Sequence, residues 1–198
     1  MVIGGCMDKE EIKQKYINAA IEIGAKEGVT AVTMRAMSNH AGINTAYMYR
    51  VFDDVYQVQQ QAFLQINTLF VKNLSKRLIV FENYGFSEEV FKQFFNESFD
   101  SVRENSIMFE FFLRYYYNYV FPRDFATSGS KEELEPILNR IEKFFKKDTP
   151  LIPIILIALE NYVKYSILID KSGDLEKRKE EVYQIIYNCV TPYLLTKN

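Results

Sequence analysis

The run Thr33–Phe52, TMRAMSNHAGINTAYMYRVF, leaves a chain few ways to fold. Thr33 has the side chain of a helix N-cap, whose hydroxyl accepts an otherwise orphaned backbone N–H. Met34, Met37 and Ala41 then recur at spacings of three and four, which puts them on one helical face. Gly42 stands where that helix must end in a left-handed residue, a conformation Gly adopts without a Cβ clash. Ile43 follows as a plug for the angle between two helices. Asn44 caps the second helix, whose buried side is Met48, Val51 and Phe52, and Asp53 or Asp54 caps what comes next. The spacing therefore predicts helices over 33–40 and 45–52. Two short helices about a Gly turn form a helix-turn-helix, whose second helix enters the major groove of DNA.

Local charge agrees with that reading. No Asp or Glu lies between Glu27 and Asp53, while Arg35, His40 and Arg50 do. Ser38, Asn39, Thr45, Tyr47 and Tyr49 add uncharged hydrogen-bonding groups. A surface that meets phosphates should lack carboxylates and offer Arg, hydroxyls, amides and helix N-termini. The first 60 residues nonetheless carry six Lys/Arg against seven Asp/Glu, so the region is not basic as a whole.

Residues Ile12 to Val58 resemble the N-terminal domain of the TetR family of ligand-controlled transcriptional repressors. The resemblance rests on an apolar first helix with Ala19-Ala20, ending in Gly28, and on the Thr33 cap with Arg35 two residues on. It continues through the turn Ala41-Gly42-Ile43 and the recognition-helix end Met48-Tyr49-Arg50-Val51-Phe52. About a quarter of the chain is covered, in order and with the family's spacing. The resemblance implies an all-α protein with a three-helix DNA-binding head over 8–53. A helical effector-binding and dimerisation body would follow over 54–198. There are departures. Val55 falls where the family usually has a phosphate-gripping Lys, and Asp53 where another basic residue is common. Thr45 replaces a frequent Lys or Pro, and Gly24 a bulky apolar residue.

On this reading the DNA-contacting residues are Thr33, Arg35, Asn44, Thr45, Ala46, Tyr47, Tyr49 and Arg50. Arg35 can fork onto a guanine edge, bind a phosphate or form a surface ion pair. Asn44, Thr45 and Ala46 open the recognition helix toward phosphates or bases. Tyr47 reaches the groove or lies along the backbone, Tyr49 binds phosphate or packs in the core, and Arg50 faces outward. Lys9, Lys13 and Lys15 touch phosphates or form an ordinary solvated face.

The rest of the chain reads as helices over Lys9–Lys26, 54–81, 88–104, 106–121, 131–146, 150–170 and 174–195. Ser87, Thr149 and Asp174 are the expected caps of three of them. Residues 124–130 form a polar loop, and Met1–Met7 a loose tail without a signal-peptide pattern. Eight of the thirteen positions from Phe109 to Phe121 are aromatic, so that helix must be buried on more than one side. Its rings make the candidate effector site: Phe112, Tyr115, Tyr116 and Tyr119, facing Phe95 and Phe99, with Phe63, Ile66 and Phe70 from the preceding long helix. A tightly packed aromatic core is the alternative for the same residues. The resemblance implies that the hairpin of residues 150–195 pairs with its twofold mate in a homodimer, leaving two heads for a palindromic operator on double-stranded DNA.

Other functions find little support. In 198 residues, 48% are hydrophobic and 25% charged, ordinary for a globular chain, and the net charge of −2 argues against a general polyanion binder. Cys6 and Cys189 lie at opposite ends without metal spacing, which suits a reducing, cytoplasmic setting. His40 is the only histidine, so neither a metal site nor a Ser/His/Asp or Cys/His set can be assembled, and no cofactor is expected. The run Leu151–Ile169 is long enough to span a membrane, but Glu160 and Lys164 sit inside it as an i,i+4 pair. The expectation is a sequence-specific repressor released by an apolar or aromatic small molecule. The alternative, motivated by Asp53-Asp54, is a ligand-binding or protein-interaction module with weak or lost DNA binding.

Overall fold

The computed structural model describes residues 8–120 and 130–195, and the side chains of all of these except 120, 130–133 and 167–172. The expected tail at 1–7, Phe121 and almost all of the expected loop over 124–130 lie outside the described residues.

The described residues form nine α-helices, with 3-10 turns between some of them. They are α1 (Lys9–Glu27), α2 (Met34–Ala41), α3 (Val55–Arg77), α4 (Ile79–Tyr84), α5 (Glu88–Glu104), α6 (Ser106–Tyr115), α7 (Ser130–Ile141), α8 (Leu151–Ser172) and α9 (Leu175–Val190). The all-α class is as expected. One hydrophobic cluster runs from Ile12 in α1 to Leu194 near the end of the chain, so head and body share a continuous core.

Helix α1 is the centre of the head. Ile12, Tyr16, Ile17, Ala19, Ala20, Ile21, Ile23, Gly24 and Ala25 are all buried. Burial on so many sides follows because α2, α3 and α6 all pack on it. The approach of α6 is the tightest. A Cβ built on Gly24 would lie 2.5 Å from Cδ2 and 2.8 Å from Cε2 of Phe111. The missing side chain of the sequence is thus the seat of an aromatic ring from the body.

The long helix expected over 54–81 is jointed at Leu78. Neither Gly nor Pro stands there. The Arg140 guanidinium, from α7, instead donates to the Ser75 carbonyl (3.1 Å) and Ser75 Oγ (2.5 Å), and forks onto the Glu82 carboxylate (2.7 and 3.0 Å). A side chain inserted into the backbone ladder is a recognised cause of a kink. The same fork holds the Glu82 carboxyl below its usual range.

Helix α6 widens into a π-turn over Tyr116–Val120, where Asn118 Nδ2 takes the Arg114 carbonyl (2.8 Å). The helix expected to reach Lys146 stops at Ile141. A 3-10 turn follows, and Phe145 and Lys146 then pair with the chain end, Lys146 N–H donating to the Tyr193 carbonyl (2.7 Å) and Leu195 N–H to Phe144 (2.9 Å). The final helix accordingly ends at Val190 instead of Leu195. Two expected caps fail. Thr149 Oγ1 donates to the Lys146 carbonyl (2.6 Å) and so is turned away from α8. Asp174 precedes α9 without a side-chain bond to it. Ser87 does cap α5, accepting from Val90 N–H at 3.2 Å.

The packing at Gly24 predicts an inverted sign for a familiar substitution. Gly→Ala in an ordinary helix interior is stabilising by up to ~1 kcal/mol. Gly24→Ala should instead destabilise by about 1–3 kcal/mol, because the fully buried Phe111 ring has no room to yield. Urea unfolding measures this, and the further substitution Phe111→Leu should recover part of the loss.

Candidate nucleic-acid interface and effector cavity

The head is built by its caps. Thr33 Oγ1 accepts from Ala36 N–H at 3.2 Å and starts α2. Gly42 ends it in the left-handed region, φ 65° and ψ 30°, and Ile43 N–H returns to the Ser38 carbonyl at 3.1 Å. Ile43 is buried between the two helices as expected. Asn44 Oδ1 then accepts from Ala46 N–H at 2.9 Å and starts the second helix. That element, Thr45–Arg50, winds as a 3-10 helix where an α-helix over 45–52 was expected. It is six residues long and anchored at both ends by buried Ile43 and Phe52. A 3-10 helix rises about 2.0 Å per residue against 1.5 Å, so the same residues span more length.

Seven of the eight predicted DNA-facing residues are exposed. Arg35, Asn44, Thr45, Ala46 and Arg50 are exposed, and Arg35 pairs with no carboxylate among the described residues. Tyr49 is 61% exposed, so the core-packing alternative is gone. Thr33 is exposed, its hydroxyl spent on the cap. Tyr47 is half-buried, and the Arg50 guanidinium lies 4.7 Å from its ring centroid, which orients both. Lys15 pairs with Glu11 on its own helix (3.1 Å), and His40 Nε2 lies 3.3 Å from Glu22.

The two acids after the second helix of the motif have structural work. Asp54 Oδ1 caps α3 by accepting from Gln57 N–H at 2.7 Å. Gln57 in turn accepts from Asp53 N–H (2.7 Å) and donates to the Asp53 carboxylate (3.2 Å). This reciprocal arrangement resembles a capping box. Asp53 and Asp54 both remain exposed.

Two buried polar groups of the head have no counterpart in the sequence reading. Tyr16 OH, fully buried, donates to the Asn44 carbonyl (3.1 Å) and lies 3.2 Å from Ser38 Oγ, so α1 grips both helices of the motif at their turn. Gln59 Nε2 donates to the Val29 carbonyl (2.8 Å) and ties α3 to the linker between α1 and α2. The available signal was a polar-tipped ring at a core position of α1.

The proposed effector residues separate into two groups. Phe63 stacks on Phe112 (4.8 Å) and Tyr115 (4.9 Å), Tyr115 meets Tyr119 at 5.0 Å, and Phe112 lies 6.3 Å from Tyr116. Phe95 and Phe99 stack at 5.8 Å against Tyr162, and Ile66 is fully buried. Two cavities lie further along the body. One, about 110 Å³ and open to solvent, is walled by apolar and aromatic groups such as Leu78, Phe81, Ile154 and Ile186. The other, about 90 Å³, adds Arg77, Asn73, Ser98 and Ser101 to Phe70 and Phe109. Of the nine residues proposed from sequence, Phe70 alone lines either cavity. The Tyr162 hydroxyl, on the wall of both, is pushed well above the phenol range by burial. No group of His, Cys, Asp or Glu suited to a metal ion occurs among the described residues.

A helix-turn-helix head built around α1, on a larger all-helical body, is the fold of TetR-type transcription regulators. The chain has that fold. A TetR-family regulator from Marinobacter aquaeolei VT8 superposes with a TM-score of 0.68 at 12% identity, over 90% of this chain and 95% of that one. A protein assigned provisionally to the same family, from Shewanella sp. PV-4, gives 0.67 at 13% identity, over 93% and 99%. A gamma-butyrolactone receptor gives 0.52 at 17% identity, over 92% and 98%. No protein-family model matches the chain, and no curated protein matches it significantly. No helix among the described residues is long and apolar enough to cross a membrane.

The Tyr16 hydroxyl gives a local test. Tyr16→Phe leaves the Asn44 carbonyl short of a donor and should cost about 1–3 kcal/mol in urea unfolding. Ser38→Ala should cost less, because the stronger partner, the carbonyl, keeps its bond.

Proposed function

We propose that this chain is a cytoplasmic, homodimeric transcriptional repressor that binds a palindromic operator and leaves it when a small molecule fills the body. The observation that carries the reading is the outward face of the head. Arg35, Asn44, Thr45, Tyr49 and Arg50 stand exposed there, and no acidic residue occurs from 28 to 52. Arg35 supplies base readout, while the hydroxyl and amide groups and the start of the 3-10 helix position the phosphates.

The twofold partner docks on α8 and α9. Ile157 and Ile185 are 43% and 42% exposed on these helices, apolar groups that a second copy would cover. Ile186, in contrast, is 3% exposed and belongs to the protomer core. Dimerisation sets function because two recognition elements must meet major grooves about 34–36 Å apart, or a multiple of that.

Two routes join the cavities to the head. Helix α3 carries Phe70, Leu74 and Arg77 on the cavity wall and Gln59 against the head. Helix α6 presents Phe109 to the cavity and, two residues on, Phe111 to Gly24 of α1. A ligand that prefers one position of these helices changes the spacing of the heads. A coupling of 1–3 kcal/mol would alter operator affinity roughly 5- to 150-fold.

A second reading, a module of the same fold with weak DNA binding, draws on exposed Asp53 and on Val55 in place of a cation. Salt titration of binding to DNA upstream of the chain's own gene separates the two. A repressor loses affinity steeply with salt and discriminates against random DNA. A module that has lost DNA binding does neither.

Arg35→Ala should cost roughly 1–3 kcal/mol on operator and relax preference at one base pair per half-site. An equal loss on random DNA would reassign Arg35 to a phosphate. Asp53→Lys should tighten both and steepen the salt slope. For assembly, Ile157→Glu or Ile185→Glu should give monomers in sedimentation with helical content retained. A dimer that survives both rejects the α8–α9 interface.

A further inference from the structure

The two cavities share a wall of Leu74, Phe94, Ile155, Ala158 and Tyr162, yet their chemistry differs. One is an apolar chamber. The other holds a cation and three short polar side chains. Ser98 is 8% exposed, lines that second chamber, and its Oγ has no hydrogen-bond partner. A buried hydroxyl left unmatched is costly unless something else completes it. Arg77, on the same wall, is half-buried and has no salt-bridge partner among the described residues. The carboxylate that acts on it from a distance, Glu97, is exposed and accepts from Gln93 at 3.0 Å. Tyr162 stays a neutral donor, since burial raises its hydroxyl while the Arg77 charge only partly opposes this.

We infer that the two adjacent cavities take an amphipathic carboxylic acid, its carboxylate held by Arg77, Ser98 Oγ and the Tyr162 hydroxyl and its aliphatic tail passing over the shared lining into the apolar chamber. This rests on the effector reading above and names the ligand class for it. Each alternative class meets an obstacle in the same residues. A cation is repelled by Arg77. A neutral hydrocarbon fills the apolar chamber but leaves a partly desolvated guanidinium without a counter-charge. A carboxylate accepts from all three donors at once, and Arg matches it with two parallel N–H bonds. The linear order, polar chamber and then apolar chamber across a shared wall, is the order of groups in such an acid.

The test uses the full chain and calorimetric titration with decanoate, decanol and decyltrimethylammonium, each below its micellar concentration. Decanoate should bind roughly 10- to 100-fold more tightly than decanol, the range expected of hydrogen bonds to a charged group. Decyltrimethylammonium should bind weakest. Arg77→Met should abolish the preference for decanoate, bringing its affinity down to that of decanol. Ser98→Ala, which removes an unmatched group and so should fold, should weaken decanoate several-fold more than decanol. Ala158→Phe, on the shared wall, should weaken both. Three results overturn the inference: equal binding of decanoate and decanol, no binding of any probe, or a decanoate preference that survives Arg77→Met. Operator binding is measured in parallel. Decanoate that binds through Arg77 without changing DNA affinity would uphold the ligand class and reject the effector role.

Discussion

The Phe111 ring occupies the volume that a side chain at position 24 would need, and through it the body of the protein rests directly on the central helix of the head. Ridges of side chains normally hold packed helices 8–10 Å apart, and removing one side chain at the contact lets the partner come closer. The consequence is mechanical. Because interiors are packed near crystal density, a displacement of α6 passes to α1 instead of being absorbed. The same helix offers Phe109 to the cavity. The head therefore has two attachments to the body, α3 in the chain and α6 through space.

Within the head, the ends of the helices matter more than their interiors. Thr33, Gly42, Asn44 and Asp54 each settle orphaned backbone groups at a terminus, and between them they fix the path of the chain through the motif. The Tyr16 hydroxyl then secures the turn from inside. The acids at 53 and 54 look unsuitable beside DNA when read in one dimension. In three dimensions they close a hydrogen-bonded cap with Gln57, and their charge is the residual cost of that cap.

In the body, the densest run of rings marks the packing centre, and the cavities open beyond it. Phe63, Phe112 and Tyr115 stack at 4.8–4.9 Å, in the range where rings attract by offset stacking, and fill the space between α3 and α6. Empty volume appears instead beyond them, where α3, α5 and α8 diverge around Leu74, Phe94 and Ala158. The groups that give it chemistry, Arg77, Ser98 and Tyr162, are single polar residues set in apolar helical faces. The joint at Leu78, held by the fork of Arg140 onto Glu82, sits on the wall of the larger cavity.

The all-α class, the helix-turn-helix, its caps and its left-handed Gly42 were legible in the sequence, because they depend on interactions that span one to four residues. The outward set of Arg35, Asn44, Thr45, Tyr49 and Arg50 was legible for the same reason, once Met37 and Met48 had fixed which side faces the core. What the sequence could not decide depends on contacts between residues far apart in the chain. Nothing near Leu78 announces a joint, since its cause, Arg140, is more than sixty residues away. Thr149 and Asp174 have capping side chains, yet the strap of the chain end and the local backbone leave both without that role. Gly24 read as a departure from pattern until Phe111 was found against it. A run of rings in one dimension is equally a pocket or a core, because composition fixes that the rings are buried and only tertiary packing decides whether space is left between them.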